Sequence, residues 1–297
     1  MNIAVNKLSK RFGEVVAVNN LDLDFHPGVY GLVGHNGAGK STFLRLLAGI
    51  LTKDSGEISI GGKSPLDAES KRKVFLLPDD PFCAGSDTID SLASFYGDFY
   101  PLDKNALEAF LREVNLPRNR AVSTFSKGMK RQAFLAIALA VDCPVLLLDE
   151  AFDGVDPMVV EMIKRRLIAL ADEGRIIILS SHNIASLERL VDTFIILSNG
   201  KLSKVGDEET MSYSFAKFQA SGPAITSEAL KNLGLEVVDF LRVGSVCYFV
   251  LTSGEGVEEK IREKLNPLFI EPVSLEEREI ITLEMRLAKK KEEGRHE

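Results

Sequence analysis

The sequence predicts an α/β fold built on a parallel sheet, followed by a smaller α+β domain. Three observations carry that expectation. Up to Gly206, short apolar runs alternate with turn residues and helically spaced stretches, the pattern of strands joined by crossover helices. Val145–Leu148 and Ile176–Leu179 are unbroken apolar runs, too short for helices and suited to strands covered on both faces. Beyond Gly206 the texture changes, and strand and helix signals follow in the order βαββαβ, the split βαβ arrangement of a small α+β domain. A chain of 297 residues with 45% hydrophobic content is long enough to bury two such cores.

Taken in order, Val29–Val33 reads as a buried strand. It runs through a glycine-rich loop into a helix over Lys40–Ile50, with Leu44, Leu46 and Leu47 on the apolar face. Residues 85–140 turn mostly helical, as an insertion between strands of the sheet. There Asp103 is placed to cap a helix carrying Leu107, Phe110, Leu111 and Val114 on one face, and a second helix starts near Ser126 and runs to about Ala140. Asn199-Gly200 lies between Phe194–Leu197 and Lys201–Val205, and its tolerance of positive φ predicts a tight hairpin. The first domain therefore spans 1–206, and Asp207–Ser212 reads as a linker to a second domain over 213–297. That domain is expected to hold strand Phe215–Ala220, helix Ser227–Leu233, strands Glu236–Arg242 and Val246–Thr252, helix Val257–Leu265, strand Leu268–Val273 and a final helix Leu275–Leu287.

Composition excludes several function classes. With 36 Lys and Arg against 43 Asp and Glu, the net charge is −7, and the basic footprint of a general nucleic-acid binder is missing. Lys289-Lys290-Lys291 runs at once into Glu292-Glu293 and reads as a solvated tail. Cys83, Cys143 and Cys247 are odd in number, far apart and without CxxC spacing, so they indicate neither a disulfide framework nor a zinc site and fit a reducing compartment. The first residues lack the apolar stretch of a signal peptide. The longest apolar run, Ala133–Val141, stops at Asp142, short of the roughly 20 residues needed to cross a bilayer. A soluble chain is expected, with any membrane role supplied by a partner.

The chemistry is carried first by Gly34-His35-Asn36-Gly37-Ala38-Gly39-Lys40-Ser41, with Thr42 following, which fits the phosphate-loop pattern and sits between a strand and a helix as that motif requires. Glycines let successive backbone N–H groups curl around phosphate oxygens, and the helix N-terminus adds its dipole. Lys40 supplies a point charge for β and γ phosphates, and the Ser41 hydroxyl is placed for Mg²⁺. A chance glycine turn is the bland alternative, and the flanking strand and helix count against it. Val145–Leu148 then ends on Asp149-Glu150. In a parallel sheet, neighbouring strands deliver their C-terminal ends to one edge, so Asp149 can reach the metal, directly or through water, and Glu150 is the candidate general base for an attacking water.

With further markers in order, the chain resembles the nucleotide-binding subunit of an ABC transporter. Ser126-Lys127-Gly128-Met129 follows Phe125 where the family's LSGGQ signature stands, Gly154-Val155-Asp156-Pro157 matches its D-loop, and His182 after Ser180-Ser181 matches its switch histidine. The resemblance covers residues 2–206 and implies a P-loop NTPase cassette of mixed sheet with a helical subdomain. It implies ATP and Mg²⁺ as cofactors, with Ser126 and the Gly128 N–H contacting the γ-phosphate of ATP held by an opposite subunit, so that two nucleotides join two cassettes. An ordinary N-cap is the other reading of Ser126. His182 becomes a γ-phosphate sensor beside Glu150, or else a structural residue at a strand end. Phe12, between Arg11 and Gly13, stands where the family stacks a ring on adenine, with core packing as the alternative.

The sequence also departs from the family. The Q-loop position carries Asp79, which can accept a bond from metal-bound water but cannot donate as an amide does. Lys127 and Met129 replace usual signature residues, a variant resembling the bacterial branch that carries a C-terminal extension and drives export-type permeases. The implied partners are a second nucleotide-binding subunit, a copy or a paralogue, and a transmembrane permease, with no nucleic acid. The implied place is cytoplasmic, on the inner face of the membrane. A soluble ABC-type ATPase acting on ribosomes or DNA is the alternative; the single phosphate loop, the lack of sustained heptads and the acidic charge weigh against it. The extension would regulate the cassette or support its dimer.

Overall fold

The computed structural model describes residues 1–182, 186–187, 189–206, 215–252, 256–273, 279 and 282–283. The chain divides into two units, Met1–Val205 and Gly206–Glu297. The expected linker Asp207–Ser212 lies outside the described residues, as does the expected final helix apart from Glu279, Thr282 and Leu283.

The first unit runs β1 (Ile3–Phe12), β2 (Val15–Phe25), β3 (Gly28–Val33), α1 (Lys40–Leu47), β4 (Ser55–Ile60), α2 (Ala68–Lys71), β5 (Val74–Leu77), α3 (Ile89–Gly97), α4 (Lys104–Glu113), α5 (Lys127–Ala140), β6 (Val145–Leu148), α6 (Pro157–Asp172), β7 (Ile176–Ser181), β8 (Thr193–Ser198) and β9 (Lys201–Gly206). Its strands form two sheets. One is antiparallel in the order β2-β1-β4, and the other runs β5-β6-β7-β3-β8-β9 with parallel pairing from β5 to β8. The antiparallel sheet adds to the α/β expectation. Its β2 alternates buried Leu21, Leu23 and Phe25 with exposed polar residues, the mark of a sheet covered on one face.

The parallel strands β6 and β7 are buried along their whole length, which is why their sequences lack polar alternation until the ends. α5 is buried on nearly all sides from Ala133 to Ala140, and four alanines there let neighbouring elements approach closely. α1 stops at Leu47, short of the expected Ile50, because Gly49 turns left-handed at φ 65° and ends the helix. The expected hairpin forms at Asn199-Gly200 with φ of 45° and 76°.

One correction concerns the site directly. The phosphate-loop strand β3 and the Asp149 strand β6 are not neighbours, because β7 runs between them. The edge-sharing argument still holds, but the C-terminal end of β7 now stands at the centre of the site.

The second unit follows the expected order: β10 (Phe215–Ser221), α7 (Ser227–Asn232), β11 (Val237–Val243), β12 (Val246–Thr252), α8 (Val257–Leu265) and β13 (Phe269–Val273). Its sheet is antiparallel in the order β11-β12-β10-β13. Phe218, Ala220, Leu230, Phe249, Ile261 and Ile270 belong to a core of its own, each large side chain contributing roughly 1.5–3 kcal/mol by leaving water. Among the described residues no helix is long and apolar enough to cross a membrane.

Candidate functional site

The loop after β3 is shaped by close backbone approach. Gly39 sits at φ 103°, where any Cβ would overlap the carbonyl oxygen of Ala17. α1 carries no side-chain cap, so its first N–H groups are left for a ligand. Lys40 is only 6% exposed; its Nζ donates to the Gly34 carbonyl at 2.8 Å and stands 3.4 Å from Glu150 Oε1. Asn36, Gly37, Ala38, Gly39, Lys40, Ser41 and Thr42 line a cleft of about 510 Å³, joined by Val15, Ala17, Asp79, Glu150, Asp153 and His182. Gly34 and His35 lie at the root of the loop, where His35 Nδ1 is 2.8 Å from the Asn36 carbonyl oxygen.

The opposite wall comes from the ends of β6 and β7. Asp149 is buried, and Glu150 beside it takes a left-handed backbone with φ 47°. The Glu150 N–H donates to Ser180 Oγ at 2.9 Å, and the Ser180 hydroxyl donates to Asp149 Oδ1 at 2.5 Å. Glu150 Oε2 accepts the His182 backbone N–H at 3.1 Å and lies 2.9 Å from His182 Nδ1. Lys40, Glu150 and His182, remote in sequence, thus meet around one carboxylate.

The signature residues lie elsewhere. Ser126 caps α5, its Oγ accepting the Met129 N–H at 3.2 Å, so in this structure the hydroxyl is an N-cap. Lys127 is 77% exposed and pairs with Asp153 at 2.6 Å, which lowers the Asp153 carboxyl and raises the Lys127 ammonium from their ordinary values. Gly128 approaches so closely that a Cβ there would overlap the Gly154 carbonyl oxygen. None of Ser126 to Met129 lines the phosphate-loop cleft of its own chain. Asp156 caps α6 through the Met158 N–H at 2.8 Å. Asp79 does line the cleft, and desolvation there raises its carboxyl, with Asp149, Glu150 and Asp153 adding to the shift against the opposing charge of Arg131. Phe12 is 47% exposed, with the Lys10 ammonium 5.5 Å from its ring centre; Val15 and Ala17 line the cleft instead.

Sequence reasoning missed Ser180 and Arg131. Arg131, 5% exposed, donates from Nε to the Ala151 carbonyl at 3.0 Å, from Nη1 to those of Pro78 at 2.7 Å and Asp79 at 3.0 Å, and from Nη2 to that of Asp149. It ties the signature helix to the Asp79 loop and to the end of β6. Arg131 follows Lys127 and Lys130 in the first turns of α5, and only its burial sets it apart, which sequence does not show.

This constellation has known counterparts. Residues 18–153 match the ABC transporter family. An uncharacterized ABC transporter ATP-binding protein of Bacillus subtilis, YhaQ, is 32% identical over 222 residues, covering 72% of this chain and 74% of the relative. The chain belongs to the ABC transporter ATP-binding proteins. A Nod factor export ATP-binding protein I of a Bradyrhizobium species is 32% identical over 220 residues, covering 71% of this chain and 72% of that one. The solved ATP-binding subunit of an ABC transporter superposes with a TM-score of 0.65 at 27% identity, over 71% of this chain and 92% of that chain. As an ABC transporter ATP-binding protein the chain has the α/β cassette fold, binds ATP and serves a transporter.

Proposed function

We propose that the cleft between the phosphate loop and the ends of β6 and β7 holds Mg-ATP, and that two cassettes close on two nucleotides to drive a separate permease. The observation that carries this reading is the meeting of Lys40, Glu150 and His182 at 3.4 and 2.9 Å on one carboxylate beside an uncapped helix N-terminus. The backbone N–H groups of Gly37, Ala38 and Gly39 would wrap the phosphates, and Lys40 would turn from the Gly34 carbonyl to the β and γ oxygens.

The residues fit magnesium. Mg²⁺ takes one or two protein oxygens completed by phosphate and water, and Ser41 lines the cleft together with Glu150, the neighbour of Asp149. Ser41 and Asp149 would hold it, with Asp79 at the rim. When bound, it would neutralise charge on the phosphates.

Glu150 would accept a proton from the water whose oxygen attacks the γ-phosphorus while the bond to the bridging oxygen of the ADP breaks, leaving ADP and phosphate. A general base of this kind contributes roughly 10²- to 10⁴-fold in rate. His182, bonded to Glu150, would hold that carboxylate and meet the γ-phosphate. Ser126, Lys127, Gly128, Met129 and Asp156 would meet the nucleotide of the opposing cassette, a copy or a paralogue, and Phe12 would stack near the base. The permease would place the chain on the inner face of the membrane.

Glu150→Gln tests the core of this reading. Steady-state hydrolysis should fall by about 10²-fold or more, while ATP binding persists and size exclusion in Mg-ATP shows a stronger dimer. Wild-type hydrolysis would remove the base assignment, and unchanged elution would remove the sandwich. The second unit, a separate α+β core following a cassette, would regulate it or support its dimer; a chain truncated after Gly206 should lose that regulation or dimerise less.

A further inference from the structure

Ser180 stands at the point where β7 separates the phosphate-loop strand from the Asp149 strand, and it is 1% exposed. Its hydroxyl does two things at once, donating to Asp149 Oδ1 at 2.5 Å and accepting the Glu150 N–H at 2.9 Å. A hydroxyl is a compact side-chain group able to donate and accept together. Glu150 is a non-glycine residue at φ 47°, a conformation that persists only where the surroundings hold it. The neighbouring Ser181 makes a different contact, its Oγ lying 3.2 Å from Ser186 Oγ.

We propose that Ser180 is a positioning residue for ATP hydrolysis. It fixes the orientation of the Asp149 carboxylate and, through the backbone N–H, the left-handed turn that aims the Glu150 side chain between Lys40 and His182. One hydroxyl thereby sets the metal-holding acid and the base in a single register. It touches no reacting atom and acts through the two acids. This inference rests on the roles given above to Asp149 and Glu150.

The test uses the full chain with Ser180→Ala and the nearly isosteric Ser180→Cys. In each, kcat should fall about 10- to 100-fold, the range for groups that orient a metal ligand. KM for ATP should stay close to wild type, the split expected of an interaction felt after binding. The Mg²⁺ concentration that half-saturates the tightening of a fluorescent ATP analogue, read by anisotropy without turnover, should rise. Wild-type kcat and wild-type Mg²⁺ dependence in the variants overturn the proposal, and so does a lowered melting temperature with kcat unchanged. If the alanine variant does not fold, the cysteine variant decides. Glu150→Gln runs in parallel: wild-type Ser180 variants beside an inactive Glu150→Gln sink the Ser180 proposal alone, whereas an active Glu150→Gln sinks the underlying assignment.

Discussion

α1 and α5 begin alike, each leaving a glycine- or serine-containing loop with a lysine as its first residue, yet they dispose of their N-terminal groups in opposite ways. α1 follows a left-handed Gly39 and has no side-chain cap, and its Lys40 turns inward onto the Gly34 carbonyl and Glu150. α5 is capped by Ser126, and its Lys127 points outward at 77% exposure, held by Asp153. The physics of the two termini is the same: unpaired N–H groups and a positive dipole end. What differs is ownership. The first residues of α1 line the cleft of their own chain, whereas at α5 the Met129 N–H is taken by the Ser126 hydroxyl and none of Ser126 to Met129 lines that cleft.

Substitutions at the two lysines and the cap put that contrast under strain. Lys40→Met should weaken nucleotide binding to the isolated cassette about 10- to 100-fold, since a hydrogen bond to a charged group is worth roughly 1.5–3 kcal/mol. Titration with a fluorescent ATP analogue reads it, and unchanged affinity would mean that the inward lysine has no part in binding. Ser126→Ala should leave that affinity alone but remove about 1 kcal/mol of stability with the cap, a fall in melting temperature of about 2–4 °C for a unit of this size. It should also weaken ATP-driven dimerisation. A loss of binding in the isolated cassette would show that the α5 terminus serves its own chain after all.

The smallest effect is expected at Asp153. Its folded value is depressed by Lys127, so the pair stabilises above the ordinary carboxylate value of about 3.9 and loses that contribution as pH falls through the folded value. Melting curves of wild type and Asp153→Asn should differ at neutral pH, by less than about 1 kcal/mol for an exposed pair, and converge in acid. A gap that widened in acid would break the assignment.

The second unit was readable almost strand for strand, because its elements are short and are separated by turn residues. The phosphate loop was readable because its function is contiguous: glycines, lysine and hydroxyl act within one strand-to-helix turn. The antiparallel sheet of β1, β2 and β4 was less legible, since pairing between strands far apart in the chain leaves little local trace. Phe12 is not among the residues lining the cleft, whereas Val15 and Ala17 are, because which side of a hairpin points where depends on register.

Local spacing and strand-end chemistry carry the α/β class, the phosphate loop and the acids that end β6, while the cassette architecture follows from the resemblance that the ordered motifs carry. Packing alone sets that β7 lies between β3 and β6, that Ser180 bridges Asp149 and Glu150, and that Arg131 ties together the loops after β5 and β6 through their carbonyls. Those contacts join residues far apart in the chain. Strand order and the burial of single polar groups arise from packing the whole sheet, and no local window of sequence holds that information.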